Sequence, residues 1–450
     1  MSTTLTSVTK VPSPNPLPTG EGLEQLALES QKRPVWLRVG RLFDGGSDQA
    51  IRDANIVFDA RQIRFVGGDG QLPDAKLLSP GQTEPDVVLP AHTLLPCLIE
   101  AHAHLFLDGA PIDFRQREGY LNRAPEWMLE RARARWPKVL QCGVGAVRDA
   151  GDKHGVGLAL AAEAKRLRDQ LAATPWIDSP GAAIHHRGRY GSFMAEPIEE
   201  FATPAECVAA RVAAGADRIK LLATGIINFQ AGRVTVPPQM TADEVRALVD
   251  AARRHGRQTF AHASGTEGIE NSIDGGVTTV EHGFFVTAEQ LAKMRDRQIA
   301  WVPTFAPVQL QLDRAAELGW SDEVVVHLKR IIDGHRQMLR RADELGVTVL
   351  AGSDAGSCGV PHGMGLLDEL VQMEQSGLPP AAVLRSATGA SAATLEFPEP
   401  IGRIAPGCRA RFIVTRHDPL ATVANLRRGK NVVFDGTAVR CDDALSAEGL

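Results

Sequence analysis

The stretch Leu94–His104, LLPCLIEAHAH, is an apolar run that ends on two histidines. Short apolar runs of this kind recur along the chain, and several of them also end near a polar residue. They are VGAVRDAG (144–151), WIDSPGAAI (176–184), DRIKLLATG (217–225), QTFAHA (258–263), VTTVEHG (277–283), IAWVPTF (299–305) and VTVLAGSDAG (347–356). Such runs are typical of parallel strands that are buried on both faces.

Segments rich in Ala, Leu, Arg and Glu separate these runs and have the composition of helices. They include PEWMLERARARWPKVLQCG (125–143), TPAECVAARVAAGA (203–216), TADEVRALVDAARRHG (241–256) and the stretch 321–346. Eight strands that alternate with helices over about 300 residues predict an α/β fold, the (β/α)8 TIM barrel. The alternative is a doubly wound open sheet, although no G-x-G-x-x-G turn follows the first strand.

Both ends of the chain have a different, strand-rich pattern. VWLRVGRLF, ANIVFDA and QIRFVGG occur near the N-terminus, and ARFIVTR and NVVFDGTAVR occur near the C-terminus. We therefore predict a small β-sandwich domain built from both termini, residues 34–93 together with 400–450. Residues 94–399 would form the barrel, and residues 1–33, rich in Ser, Thr and Pro, would form a flexible leader.

Composition excludes several classes of function. The net charge of −5 over 450 residues gives no electrostatic reason to expect nucleic acid or an anionic membrane. No apolar run is long enough to span a bilayer, and the N-terminus lacks the apolar core of a secretory signal. The six cysteines form no C-x-x-C pair, so neither a zinc knuckle nor a thioredoxin-like motif is present. We expect their thiols to be reduced, as in cytosolic enzymes. We expect a cytoplasmic homo-oligomer that acts on a small-molecule substrate.

Polar residues stand at the predicted C-terminal strand ends, where a TIM barrel carries its functional residues. They are His102, His104, Lys220, His262, His282 and Asp354. Neutral imidazole and carboxylate are ligands that zinc and related ions prefer, and residues two apart on a strand face the same side. The sequence therefore predicts a divalent metal site, although each histidine taken alone could be a buried core residue whose ring nitrogens are hydrogen-bonded.

Lys220 and Asp354 need separate arguments. A lysine inside an apolar strand is costly unless it is paired or functional. Between two metal ions Lys220 would have to be deprotonated or modified, and carbamylation by carbon dioxide would make it a bridging anionic ligand. Asp354 could contact a metal and also transfer a proton. Both residues could instead have a purely structural role. Lys220 could point outward and form an ion pair, and Asp354 could stand in an Asx-turn or at a helix N-cap.

These residues, in this order, resemble the amidohydrolase superfamily over about residues 35–440. Within it, the likeness is to the prolidase-like and imidazolonepropionase-related branch. IKLLATG (219–225), AHASGTEGIENSIDGGVTTVEHG (261–283) and GSDAG (352–356) carry this likeness. GRIAPGCRARFIVTRHDPL (402–420) looks like the strand that closes the family's small domain, except that Arg411 replaces the usual acidic residue.

The resemblance implies a binuclear metal centre, usually of zinc. His102 and His104 would bind one ion, His262 and His282 the other, and an N6-carboxylated Lys220 would bridge them. Asp354 would contact the first ion and act as acid and base, while a hydroxide shared by the two metals attacks an amide carbon. The implied activity is hydrolysis of the C–N bond of a dipeptide or an N-acyl amino acid.

Substrate contacts are predicted from basic and phenolic residues in the loops, which could hold a carboxylate. The candidates are His185, His186, Arg187 and Tyr190 after the third strand, Arg233 after the fourth, and His362 after the eighth. They could equally be solvated loop residues. The apolar candidates Phe229, Phe284, Phe285 and Phe305 favour the alternative of an aryl amide, carbamate or urea substrate.

Other activities fit the sequence less well. Deaminases of the superfamily commonly carry a glutamate where Gly265 stands, and Glu267 comes two residues too late. Imidazolonepropionases usually lack the lysine of the fourth strand. Lactone or organophosphate hydrolysis stays open as an alternative, and so does a non-catalytic binding module, although such a module would be expected to lose ligands. Arg148 and Asp149 are predicted to form a structural pair.

Overall fold

The structure is a computed structural model that describes residues 21–112 and 114–441. Most of the predicted leader, residues 1–20, and the end of the small domain, residues 442–450, lie outside the described residues. The described chain begins with helix α1, Glu21–Ser30, whose Leu23 and Leu26 are buried.

Fourteen strands and fourteen α-helices make up the described chain. The strands are β1 Val35–Leu42, β2 Ile51–Phe58, β3 Ile63–Gly67, β4 Val87–Pro96, β5 Leu98–Ala103, β6 Val144–Asp149, β7 Trp176–Asp178, β8 Ile219–Leu222, β9 Thr259–Ala263, β10 Thr279–His282, β11 Ala300–Val302, β12 Arg411–Thr415, β13 Lys430–Phe434 and β14 Thr437–Cys441. The helices after α1 are α2 Phe114–Leu121, α3 Pro125–Ala134, α4 Trp136–Gln141, α5 Val156–Asp169, α6 Pro204–Ala213, α7 Ala242–Arg254, α8 Thr266–Gly275, α9 Ala288–Asp296, α10 Ala306–Asp313, α11 Asp322–Leu345, α12 Met364–Gln375, α13 Pro380–Ser386 and α14 Gly389–Leu395. Among these residues, no helix is both long and apolar enough to cross a membrane.

Strands from both ends of the chain share one seven-stranded sheet, in the order β14-β13-β12-β4-β1-β2-β3. The join is the antiparallel pair of β4 with β12, in which Pro96 faces Phe412. Helix α1 covers this sheet, and Leu23 belongs to the same apolar cluster as Phe58 and Phe412. The described strands of the two ends form this single sheet, so the structure does not confirm the predicted β-sandwich.

The middle of the chain has a TIM-barrel-like α/β fold. Its parallel strands form one sheet in the order β5-β6-β7 and another in the order β11-β10-β9-β8. Isolated parallel bridges connect Ile184 with Leu221, Trp301 with Val349, and Ala103 with Ala355. The predicted third strand is thus shorter than expected, and the predicted eighth is present only as bridges.

Burial explains why these strands lie at the centre. Every residue of β5, β8, β9 and β10 is buried, as expected for strands that are covered on both faces. The surrounding helices begin at polar caps, and a complete capping box at α7 joins Thr241 and Glu244. At α6 the Thr203 side chain accepts from the Glu206 amide, without the reciprocal bond of a complete box.

Candidate metal centre

The predicted ligand residues meet at the ends of neighbouring strands. They are His102 and His104 at the end of β5, Lys220 in β8, His262 in β9, His282 at the end of β10, and Asp354 beside the Ala355 bridge. The ring centres of His102 and His282 are 4.9 Å apart, and those of His262 and His282 are 4.5 Å apart. Residues separated by more than 250 positions along the chain therefore share one small volume.

His102, His104 and Asp354 form the part of this cluster that could hold a metal ion. One ligand atom of each residue lies within 4.8 Å of the other two. Asp354 Oδ1 is 3.3 Å from His104 Nε2 and 3.6 Å from His102 Nε2. His102 Nε2 and Asp354 Oδ1 are buried and have no hydrogen-bond partner among the described residues. Because buried polar atoms are costly when unpaired, these two atoms fit a bound cation.

The protonation states also suit a cation. Burial lowers the pKa of His102 to about 4 and that of His262 to about 3, and it lowers the pKa of His282 well below its ordinary value. Burial alone would raise the pKa of Asp354, but the neighbouring His104 lowers it below its usual range. At neutral pH the site therefore presents neutral imidazoles and a carboxylate, the forms that bind metals.

Each of two histidines is oriented by a partner on its other nitrogen. His102 Nδ1 lies 2.5 Å from Glu281 Oε2, and His282 Nδ1 lies 2.7 Å from Thr304 Oγ1. The Glu281 carboxylate in turn accepts two hydrogen bonds from Arg148, of 2.8 and 2.9 Å. Partners of this kind fix the tautomer and the ring direction of a metal-binding histidine.

Glu281 is a functional residue that our sequence analysis missed. The signal was available, because an acidic residue inside the buried strand TVEH requires a partner. The predicted pair of Arg148 with Asp149 is wrong, since Arg148 binds Glu281. Asp149 accepts hydrogen bonds from the Leu105 amide and the Ser179 hydroxyl instead.

Lys220 is buried in this cluster with only 1% of its surface exposed. Its Nζ has no hydrogen-bond partner among the described residues and lies 4.7 Å from the centre of the Phe260 ring. Burial lowers the pKa of Lys220 to about 8. An ammonium group without an acceptor is unfavourable there, and the lowered pKa increases the share of neutral amine near neutral pH.

The backbone at the strand ends is unusual. His282, Thr304 and Asp354 have φ values of 65°, 52° and 55°, in the left-handed region that few non-glycine residues adopt. These turns direct consecutive strand ends toward the same centre. At Gly352, an added Cβ would lie 2.9 Å from the Cβ of His102, so only glycine allows this close approach.

A cavity opens directly above the cluster. Its walls are His104, Arg117, Tyr190, Ile226, Ile227, Phe229, His262, Ser264, His282, Phe284, Thr304, Pro307, Val308, Gln311, Asp354, Ser357 and Cys358. Most of the residues beyond the cluster are apolar, and Arg117 from α2 is a wall residue that our sequence analysis did not identify. Of the four predicted phenylalanines, Phe229 and Phe284 line the cavity. Phe305 is buried beside His335, and Phe285 lines a separate cavity next to α11.

Of the predicted substrate contacts, Tyr190 lines this cavity, with its ring centre 5.3 Å from that of His262. Burial raises the pKa of Tyr190 to about 12. The remaining candidates lie outside the walls that the described residues form, with these partners: His185 with the carbonyls of His186 and Ala195, His186 with Glu199, Arg187 with Glu200, His362 with the His104 carbonyl, and Arg233 in a backbone bridge to Asn228.

The fold and the site together have the features of a hydrolase that binds a metal. A model of the amidohydrolase family matches residues 93–439, and the chain belongs to this family. It is a hydrolase that acts on carbon–nitrogen bonds.

Individual relatives agree with this membership. An ochratoxinase from Aspergillus niger is 24% identical over 445 residues, which cover 90% of this chain and 88% of the relative. The crystal structure of a Xaa-Pro dipeptidase with methionine bound in its active site is 26% identical, with a TM-score of 0.75. That match covers 90% of this chain and 100% of the dipeptidase. A molinate hydrolase, at 20% identity and a TM-score of 0.70, shares the fold over 90% of this chain and 94% of its own.

Proposed function

We propose that the chain is a metal-dependent amidohydrolase that cleaves the amide C–N bond of a dipeptide or an N-acyl amino acid. The main supporting observation is the group of His102, His104 and Asp354 at the base of a largely apolar cavity, in which His102 Nε2 and Asp354 Oδ1 have no hydrogen-bond partner among the described residues. The similarity to a Xaa-Pro dipeptidase supports this class of substrate.

We further propose two divalent metal ions, both zinc. His102, His104 and Asp354 would hold one, and His262 and His282 the other. Lys220 would bridge them as an N6-carboxylated residue, formed when the neutral Nζ attacks carbon dioxide, makes an N–C bond and releases one proton. The absence of a partner for the Lys220 Nζ among the described residues supports this modification, since the new carboxylate would be a ligand.

The metals would supply a Lewis acid for the substrate carbonyl and lower the pKa of water toward neutrality. Asp354 would accept the proton of the attacking water and deliver it to the amine nitrogen that leaves. Glu281 and Thr304 would hold His102 and His282 in position through their Nδ1 atoms. The Tyr190 hydroxyl stays protonated at neutral pH and can donate a hydrogen bond to the substrate in the cavity.

The test combines metal analysis with a substrate panel of dipeptides, N-acyl amino acids, aryl amides, carbamates and ureas. We expect about two zinc ions per chain and release of a primary or secondary amine from the N-acyl amino acids. Release of ammonia would identify a deaminase instead. Turnover that survives complete removal of metal by a chelator would contradict the proposed mechanism.

A second candidate function is hydrolysis of an aryl amide, a carbamate or a urea. The apolar walls Ile226, Ile227, Phe229, Phe284 and Val308 favour it, because they suit an uncharged, bulky group. Exclusive turnover of uncharged members of the panel would establish this alternative. Lactone or phosphotriester hydrolysis and deamination are weaker candidates, and the panel distinguishes them by their products.

Some properties of the whole chain belong to the same proposal. We propose that residues 94–399 form a closed barrel of eight strands, flanked by a small domain of residues 34–93 and 400–450 after a leader of residues 1–33. The bridges between the two parallel sheets support the closed barrel. We also propose a cytoplasmic homo-oligomer that acts on a small molecule, with no nucleic-acid or membrane partner.

A further inference from the structure

Resting on the proposed amide hydrolysis, we propose that Arg117 binds a carboxylate of the substrate and selects anionic amides. Arg117 is in α2, which follows β5, the strand that carries His102 and His104. It lines the same cavity as His104 and Asp354. Its guanidinium is therefore positioned to contact a group that lies near the scissile bond.

The charge of Arg117 stands out among the cavity walls. Of the described residues that line the cavity, Arg117 is the one arginine or lysine. The guanidinium of Arg117 thus places a permanent positive charge on the cavity wall, on the side of the first βα loop.

Arg117 has no acidic partner among the described residues. Its contacts are Cys358 Sγ, 3.9 Å from Nη1, and the Phe193 ring, whose centre is 5.9 Å from Cζ. The basic residues of the loop after the third strand differ in this respect. Arg187 forms an ion pair with Glu200, and Arg189 donates to the Pro237 carbonyl. The guanidinium of Arg117 is therefore available to bind an anion, whereas those of Arg187 and Arg189 are bound to protein groups.

The chemistry of the cavity specifies the ligand. A guanidinium binds a carboxylate with two parallel hydrogen bonds, and apolar surroundings strengthen that interaction. Ile227, Phe229 and Phe284 would surround an apolar side chain at the same time. The substrate class is therefore an N-acyl amino acid with an apolar or aromatic side chain and a free carboxylate.

The experiment compares two amides that differ only in charge, N-acetyl-L-phenylalanine and N-acetyl-L-phenylalaninamide. With the metal-loaded enzyme, we expect kcat/KM to be higher for the acid. In Arg117→Gln, kcat/KM for the acid should fall about 10- to 100-fold, mainly through KM, since a hydrogen bond to a charged group is lost. In the same variant, kcat/KM for removal of the acetyl group from the uncharged N-acetyl-L-phenylalaninamide should stay within about threefold of the wild-type value.

Two variants serve as controls. Arg115→Gln removes the same charge from an exposed position of the same helix and should leave both substrates unchanged. Arg117→Lys keeps the charge without the planar fork and should recover part of the selectivity. A second readout is calorimetric binding of the product L-phenylalanine, which should weaken by a similar factor in Arg117→Gln alone.

The outcomes separate this inference from the proposed function. Amide hydrolysis that is insensitive to Arg117→Gln, or equal losses for the acid and the amide, would overturn the role of Arg117 and leave the amidohydrolase proposal standing. Failure of the metal-loaded enzyme to cleave any amide would contradict the proposed function. In that case the calorimetric comparison still decides whether Arg117 binds a carboxylate.

Discussion

Lys220 is the residue on which the proposed second metal ion depends. In Lys220→Ala we expect zinc to fall from about two ions per chain to about one, because the proposed bridging ligand is lost. The fall in kcat/KM should exceed about 100-fold. Elemental analysis of the purified protein measures the first effect. Lys430→Ala is the control, since Lys430 of β13 is also buried but donates a hydrogen bond to the Leu426 carbonyl. Unchanged zinc and activity in Lys220→Ala would refute a binuclear centre.

Asp354 is proposed to transfer the proton, and its amide variant tests that role. In Asp354→Asn we expect kcat to fall about 100- to 10,000-fold, because asparagine cannot accept a proton from water. Zinc should be retained at least in part, since the histidines remain. Ser357→Ala, which removes only the 2.9 Å contact of a hydroxyl with Asp354 Oδ2, should reduce kcat far less. Normal turnover in Asp354→Asn would assign proton transfer to another group.

Glu281 is proposed to orient His102, so its substitution should affect metal affinity. In Glu281→Gln we expect zinc to bind about 10- to 100-fold more weakly, because His102 loses a charged partner on Nδ1. Competition with a chelator measures this affinity. Glu369→Gln is the matched control, as Glu369 is equally buried but accepts from the amides of Phe305 and Ala306. Equal affinities in the two variants would show that Glu281 does not orient the metal ligand.

At the residue scale, the sequence could predict the ligand types but not their partners. His102, His104 and Asp354 stand at the ends of apolar runs, which local patterns reveal. The contact of Glu281 with His102 joins residues 179 positions apart, and no local pattern contains it. Arg117 was missed for a similar reason, because its direction depends on how α2 packs over the cavity.

At the scale of elements, α7 is a direct test of a sequence signal. Thr241 and Glu244 have the S/T-x-x-E spacing of a capping box, and both of its hydrogen bonds are present. In Thr241→Ala we expect the free energy of unfolding to fall by about 1 kcal/mol, because an N-terminal amide of the helix loses its acceptor. Denaturant titration measures the change. Thr235→Ala, at an exposed loop position nearby, should change stability much less. An identical loss in both variants would exclude a specific effect of the cap.

The strands were predicted in the correct places but with excessive length. The run 176–184 contains Pro180 and Gly181, and the strand β7 ends at Asp178 because proline cannot donate to a neighbour. The run 347–356 includes Asp354 in the left-handed region, which interrupts regular pairing. Apolar patterns indicate where a strand lies, whereas backbone turns that aim functional side chains depend on the whole site.

At the scale of the whole molecule, Arg411 connects the seven-stranded sheet to the parallel sheet of β5, β6 and β7. Its guanidinium binds Asp435 and also donates to the carbonyls of Gly145 and Thr174, each at 3.1 Å. The sequence showed Arg411 only as a departure from the family pattern. The contact with Gly145, at the start of β6, and with Thr174, before β7, gives this departure a structural role.

This connection predicts a large effect on stability with little effect on catalysis. In Asp435→Asn we expect the free energy of unfolding to fall by about 3–5 kcal/mol, because the buried Arg411 loses its counter-charge. Asn tolerates the left-handed φ of 47° at this position, so backbone strain does not contribute. Asp418→Asn, which breaks a partly exposed pair with Arg41, should cost less than about 1 kcal/mol. Thermal unfolding and activity per folded molecule measure the two effects, and similar losses in both variants would contradict the argument.

The pairing of β4 with β12 has a consequence for how the protein is made. On the ribosome, β4 is complete at Pro96, but its partner begins only at Arg411. At a translation rate of about 5–20 residues per second, roughly 15 to 60 seconds pass between the synthesis of β4 and that of β12. During this time one edge of β4 has no partner strand. An unpaired strand edge invites association with other chains. Nascent chains of this protein thus pass through a vulnerable period that ends only when translation reaches the last strands, so faster elongation or chaperone cover would favour a good yield.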